Sequence, residues 1–206
     1  MPISFPIGIQ TMLASRNKDK KIYYPRVFGL NDSFITYNIN QSIVQKTQEL
    51  IHLQIKDSPS HVLEMLGSYE IKNNQRNILS LSLSNYTYHY QAAHGMTYIK
   101  SLTFRLEDGK QYTLKDLFKT NSDYINRISS IIQKQINERD IPLLETFTEI
   151  NPDQEYYIAD KSLIIYFQLY ELTPYVYGFP LFPISVYELE DIIDEDGPLG
   201  SMAMNN

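Results

Sequence analysis

Two residues in this sequence have the types needed for proton transfer: His94, in Gln91-Ala92-Ala93-His94-Gly95, and Glu171, in Tyr170-Glu171-Leu172-Thr173-Pro174-Tyr175. An imidazole beside a carboxylate can relay a proton near neutral pH or begin a metal shell. The competing reading makes His94 a brace that hydrogen-bonds across strand ends, and it is the favoured one, because no nucleophile stands in a motif with either residue. Ser80, Ser82 and Ser84 alternate as the polar face of a strand; there is no Gly-x-Ser-x-Gly elbow and no phosphate-binding glycine loop. The four histidines, His52, His61, His89 and His94, show no ligand spacing, and the chain has no cysteine. A site of three or four convergent metal ligands is therefore not expected, nor are disulfides, thiolate zinc or iron–sulfur clusters. The expectation is a protein without catalytic residues, metal or cofactor.

Binding is the stronger theme. The chain holds 17 Tyr and 9 Phe with no Trp. Tyrosine couples apolar ring area to a polar tip, which suits strands wet on one side and also suits contact with a glycan or a protein. Tyr88, Tyr90, His94 and Tyr98, together with Tyr170, Glu171, Tyr175 and Tyr177, are the candidate binding residues. The simpler alternative is that most of these rings fill a sheet–helix core. A net charge of −6, with no basic block beyond Arg16–Lys21, excludes a nucleic-acid footprint.

The elements that must position these residues follow from periodicity. Ile3, Phe5, Ile7 and Ile9 alternate with polar or small residues, and Pro2 and Pro6 assign this strand to a sheet edge. A basic loop (16–21) and a short strand, Ile22 to Val27, follow. Ile35, Ile39, Ile43, Thr47 and Leu50 then recur at helical spacing, predicting a helix over Ser33–Gln54 behind several N-cap oxygens. Asp57-Ser58-Pro59-Ser60 reads as a loop. The longest strand pair spans Asn77–Gly109. Its first strand places Leu79, Leu81 and Leu83 at odd positions, then Tyr86, Tyr88 and Tyr90 at even ones. A regular strand cannot bury both sets on one face, so either a bulge sits near Ser84-Asn85 or both faces are covered; the bulge is favoured. Asp108-Gly109 signals a hairpin turn with a return from Tyr112, and Thr113 with Asp116 resembles a capping box. A second helix begins near Ser122. Glu155–Ile158 pairs with Ser162–Phe167, and a last strand covers Phe182–Val186.

These elements give an α+β fold, an antiparallel β-sheet packed by two main amphipathic helices. Residues 1–197 read as one domain and 198–206 as a flexible tail. No apolar run reaches the ~18 residues of a membrane helix. Met1–Ala14 is a poor signal peptide, which points to the cytoplasm unless an export segment lies elsewhere.

The Ala-His-Gly hairpin, the Asp-Gly turn, Leu114-x-Asp116-Leu117-Phe118, the second helix and Tyr170-Glu171-Leu172-x-Pro174-Tyr175-x-x-Gly178 occur together and in order. From about Tyr24 to Leu189 the chain resembles the RsiV-like domain family. That family includes the extracytoplasmic, lysozyme-sensing part of an anti-sigma factor and the non-catalytic domain preceding the polysaccharide-deacetylase domain of some cell-wall enzymes. The resemblance implies a non-enzymatic binding or sensory domain in the cell envelope of a Gram-positive-type bacterium, with a lysozyme-like protein or peptidoglycan as partner. An intracellular interaction domain, or a hydrolase using His94 and Glu171, are the alternatives. One departure concerns the hairpin, where Gln91-Ala92 replace the family's usual glycines and restrict access to positive φ.

Overall fold

The computed structural model describes residues 6–56 and 60–204, so Ile3, Phe5 and the Asp57–Pro59 part of the expected loop lie outside the described residues. The chain forms two compact units, residues 1–110 and 111–206, where the sequence reading took 1–197 as one domain. Both mix sheet and helix, and the α+β expectation holds.

The first unit is a five-stranded sheet of β1 (Gly8–Asn17), β2 (Lys20–Phe28), β3 (Val62–Gln75), β4 (Ile78–His89) and β5 (Met96–Arg105), in that spatial order. β1 is an edge strand, but it begins at Gly8, past Pro2 and Pro6, and shares only Gly8 and Ile9 with the strand expected over Ile3–Ile9. The expected basic loop is instead the tight end of the β1–β2 hairpin, with Asn17 paired to Lys20. The β3–β4 turn falls at Arg76 and Asn77, both at positive φ (53° and 63°), the signature of a type I′ hairpin turn.

One pairing breaks the antiparallel rule. β2 and β3 run parallel, and only over Lys20–Ile22 against Met65–Gly67. Parallel neighbours cannot be joined by a turn, so the chain crosses over as a helix, α1 (Ser33–Lys56). Its stripe Ile39, Ile43 and Leu50 packs with Leu79, Leu81, Leu83, Leu102 and Phe104 into the unit's main core. Beyond Ile22, β2 has no strand on its β3 side. There α1 supplies a substitute: Asn40 Oδ1 accepts from Val27 N at 2.8 Å, and Asn40 Nδ2 donates to Val27 O at 3.0 Å. Pro25, two residues earlier, directs its backbone to the same side and has no N–H to satisfy.

The bulge favoured near Ser84-Asn85 is absent. β4 pairs with β5 without interruption from Ile78↔Arg105 to Thr87↔Met96, and the register shifts lie elsewhere, opposite β3. Odd positions stay buried throughout, from Leu79 to Asn85, Thr87 and His89, while Ile78, Ser80 and Ser82 are buried too. The inward face thus changes chemistry, from leucine to polar side chains, without changing direction. Tyr86 and Tyr88 belong to the other face.

After β5 the chain turns at Asp108-Gly109, with Gly109 at φ 71° and Arg105 N donating to Lys110 O. No return strand follows. The second unit opens with a 3-10 turn, Lys115–Leu117, where Asp116 Oδ2 accepts from the N–H and hydroxyl of Thr113. α2 (Tyr124–Glu138) buries Tyr124, Ile128, Ile132 and Ile136. β6 (Tyr156–Ala159), β7 (Ser162–Tyr166) and β8 (Leu181–Ser185) form a three-stranded antiparallel sheet. The β6–β7 turn falls at Asp160-Lys161, as the sequence indicates. The expected flexible tail is instead a short helix, α3 (Pro198–Ala203), with Leu199 and Met202 fully buried. Its apolar residues were hidden among small ones.

Two outcomes test these contacts. Asn40→Leu strips both partners from Val27 and should cost about 2 kcal/mol of stability in a urea titration, given the ~1–3 kcal/mol penalty of an orphaned buried polar group. The Arg105 guanidinium, donating to Asp108 at 2.5 and 3.1 Å, leads the causes holding that carboxyl at about 2. A depressed acid contributes stability that is full above its unfolded value of about 3.9 and is lost as pH falls through its folded value. Asp108→Asn should therefore flatten the acid limb between about pH 4 and 2 of a melting-temperature profile, relative to the parent chain.

Candidate functional site

The sequence-derived candidates fall into two sets, one in each unit. In the first, β4 ends at His89 and a six-residue connection leads to Met96. Gln91 adopts φ 61°, so positive φ is reached here without glycine. The turn is held by Ala92 N donating to His89 O, by Tyr90 N donating to His61 O, and by Tyr88 Oη donating to Ala92 O at 3.0 Å. Tyr90 is exposed. His94 is exposed as well, its Nδ1 2.9 Å from Gly95 O.

Tyr88 and Tyr98 do not share a face. Tyr98 pairs with Asn85, an inward position, and packs against the core beneath α1. Tyr88 alternates outward with Tyr86. Gly95 explains the small residue in Ala-His-Gly: a Cβ there would lie 2.1 Å from the Tyr86 ring. The glycine serves packing.

Sequence reasoning missed the polar floor on the inward side. Gln54, at the end of α1 and 1% exposed, donates through Nε2 to Asn85 O at 2.5 Å and to Met96 O at 2.9 Å. His89, 6% exposed, sets Nδ1 3.1 Å from Ser60 O and Nε2 3.2 Å from Gln54 O. These two side chains, with Thr87, Ala92, His94, Met96 and Tyr98, line a cleft of about 330 Å³. The signal was available in Asn85, Thr87 and His89, which keep the parity of Leu79–Leu83. Their polarity masks the burial that their parity implies. His89 and His94 share the cleft, but no group of three His, Asp or Glu that could hold a metal occurs among the described residues.

In the second unit, Tyr170, Glu171, Tyr175 and Tyr177 lie in one connection between β7 and β8. Tyr170 sits at φ 65° and its ring lies 5.5 Å from that of Tyr175. Glu171 caps the local turn: Oε2 accepts from Gln168 N at 2.6 Å, and Oε1 accepts from Gln154 Nε2 at 3.1 Å. Both carboxylate oxygens are thus engaged inside this unit, as His94 Nδ1 is engaged within the other. A 3-10 turn, Tyr175–Tyr177, closes with Tyr177 N donating to Pro174 O and Gly178 N to Tyr175 O. Gly178 takes φ 79°, and Thr173, fully buried, anchors the base. At the apex Val176 is 93% exposed. Sequence reasoning noted the flanking tyrosines and passed over this valine.

Residues 115–187 match a family model described as "Protein of unknown function (DUF3298)". That stretch holds the whole Tyr170–Gly178 connection. Two solved structures share the fold. One is a member of the DUF3298 family from Bacteroides fragilis, with a TM-score of 0.71 at 12% identity, covering 97% of this chain and 98% of that one. The other is a DUF3298 family protein from Pseudomonas aeruginosa, with a TM-score of 0.68 at 11% identity, covering 99% of each chain. No curated protein matches. The coarser part of the resemblance therefore stands, a DUF3298-type fold; these comparisons do not single out the RsiV-like branch. No helix among the described residues is long and apolar enough to cross a membrane.

The packing of Gly95 is open to a direct check. Gly95→Ala should lower the melting temperature by several degrees, because Tyr86 must leave its seat, whereas the same change made in a Tyr86→Ala background should cost little.

Proposed function

We propose that this chain is a non-enzymatic binding domain that recognises a protein partner through the connection 170–178. The supporting observation is Val176, an aliphatic side chain 93% exposed at the apex of a turn whose backbone is fixed on both sides. An ordered apolar knob between two tyrosines has the composition of an interface anchor, and fixing its backbone beforehand lowers the entropy lost on docking. Tyr170 at positive φ fits the same reading, since such conformations persist where the surroundings impose them. The cell-envelope setting rests on the resemblance to RsiV-like domains, and it makes a lysozyme-like protein the first partner to try.

The Tyr170–Tyr175 ring pair favours a second reading, a cell-wall glycan stacked on the exposed ring of Tyr170. A hydrolase built on His94 and Glu171 is the weaker alternative, because Glu171 is spent on Gln154 and Gln168.

Pull-downs of lysozymes and co-sedimentation with purified peptidoglycan separate the readings. Val176→Asp should weaken retention of a protein partner about tenfold or more, the equivalent of burying a valine, with the melting temperature unchanged. Tyr170→Ala should release peptidoglycan instead. If the parent chain retains neither, the binding reading loses its support.

A further inference from the structure

Where β2 runs into α1, the first unit holds a cleft of about 530 Å³ whose lining includes Arg26, Phe28, Leu30, Thr36, Tyr37 and Gln41. That volume lies within the ~300–1,000 Å³ typical of ligand sites. Its lining is aromatic and wet: Phe28 is 52% exposed and Tyr37 59%. Two exposed rings on one concave surface are more than scattered surface hydrophobicity.

The charge within the cleft is specific. Among the described residues Arg26 is the one charged residue of the lining, and its side chain has no hydrogen bond or ion pair among them. In a protein of net charge −6, this is a local positive site walled by rings. The start of α1 does not supply the attraction, because Asp32 Oδ1 already accepts from Phe34 N at 2.7 Å and Ile35 N at 3.2 Å. The walls are also fixed. Asn40, itself part of the lining, clasps Val27 N and O and so ties the strand carrying Arg26 and Phe28 to the helix carrying Tyr37.

We propose that this cleft takes the C-terminal residue of a peptide, with its α-carboxylate on Arg26 and an aromatic or branched side chain against Phe28 and Tyr37. A planar guanidinium without a competing partner matches a carboxylate in two parallel hydrogen bonds. A phosphate would call for several cations, and the cleft has one. This site is independent of the connection 170–178.

The test is an NMR titration of the whole chain with N-acetyl-Ala-Phe, carrying a free carboxylate, and with the same dipeptide as its C-terminal amide. The acid should produce saturable shifts confined to amides of residues 26–41, and the amide should bind about fivefold more weakly or worse, the worth of a charge-assisted contact at a partly exposed site. Arg26→Gln should erase the difference between acid and amide, and Tyr37→Ala should weaken both. Absence of saturable shifts in 26–41, equal binding of acid and amide, or an Arg26→Gln variant that still prefers the acid would each overturn the proposal.

Discussion

A strand pair that runs parallel cannot be closed by a turn, and the short parallel contact between β2 and β3 sets the terms for the first unit. It sends the intervening chain across the sheet as α1, and it leaves β2 beyond Ile22 without a strand on that side. Two amide side chains of the helix tie it to the backbone of the sheet. Asn40 serves Val27 near the start of the helix, and Gln54 serves Asn85 and Met96 near its end. Between them lie Ile43, Thr47 and Leu50, buried on the same stripe. Hydrophobic burial holds the helix down, and one amide at each end fixes its register on the sheet. A buried N–H or carbonyl left unpaired would cost about 1–3 kcal/mol.

The same arrangement explains what the sequence disclosed. The helices were legible because their faces are apolar at period 3.6: Ile39, Ile43 and Leu50 in α1, and Ile128, Ile132 and Ile136 in α2. The β6–β7 register was legible because Asp160-Lys161 sits between two short runs of aromatic and aliphatic residues, Tyr156–Ala159 and Ser162–Tyr166. β4 misled because burial continued where hydropathy stopped. Asn85, Thr87 and His89 are as buried as the leucines before them; Thr87 Oγ1 donates to Asn85 Oδ1, and the His89 ring is met by the carbonyls of Ser60 and Gln54. Those carbonyls lie some thirty residues away from His89, so nothing local announced them.

The candidate site was legible residue by residue and not as an arrangement. Assigning Tyr88 and Tyr98 to one surface required the β4–β5 register, and that register sets them on opposite faces. The C-terminal helix escaped notice for a related reason. Gly200 permits an approach so close that a Cβ would stand 2.0 Å from Glu195 O, and a residue chosen for its lack of a side chain looks like flexibility in a sequence.

Pro25 carries a consequence for how the molecule behaves in a crowded solution. Past Ile22, β2 presents a stretch of sheet with no neighbouring strand on one side, the kind of surface onto which a foreign or misfolded chain can add itself. Val27 is already occupied by Asn40, and Pro25 offers no N–H on that side. An incoming strand would find one position filled and the next unable to donate. The split in the sheet that makes room for a helix is thereby closed to chain-to-chain polymerisation, by one proline and one asparagine.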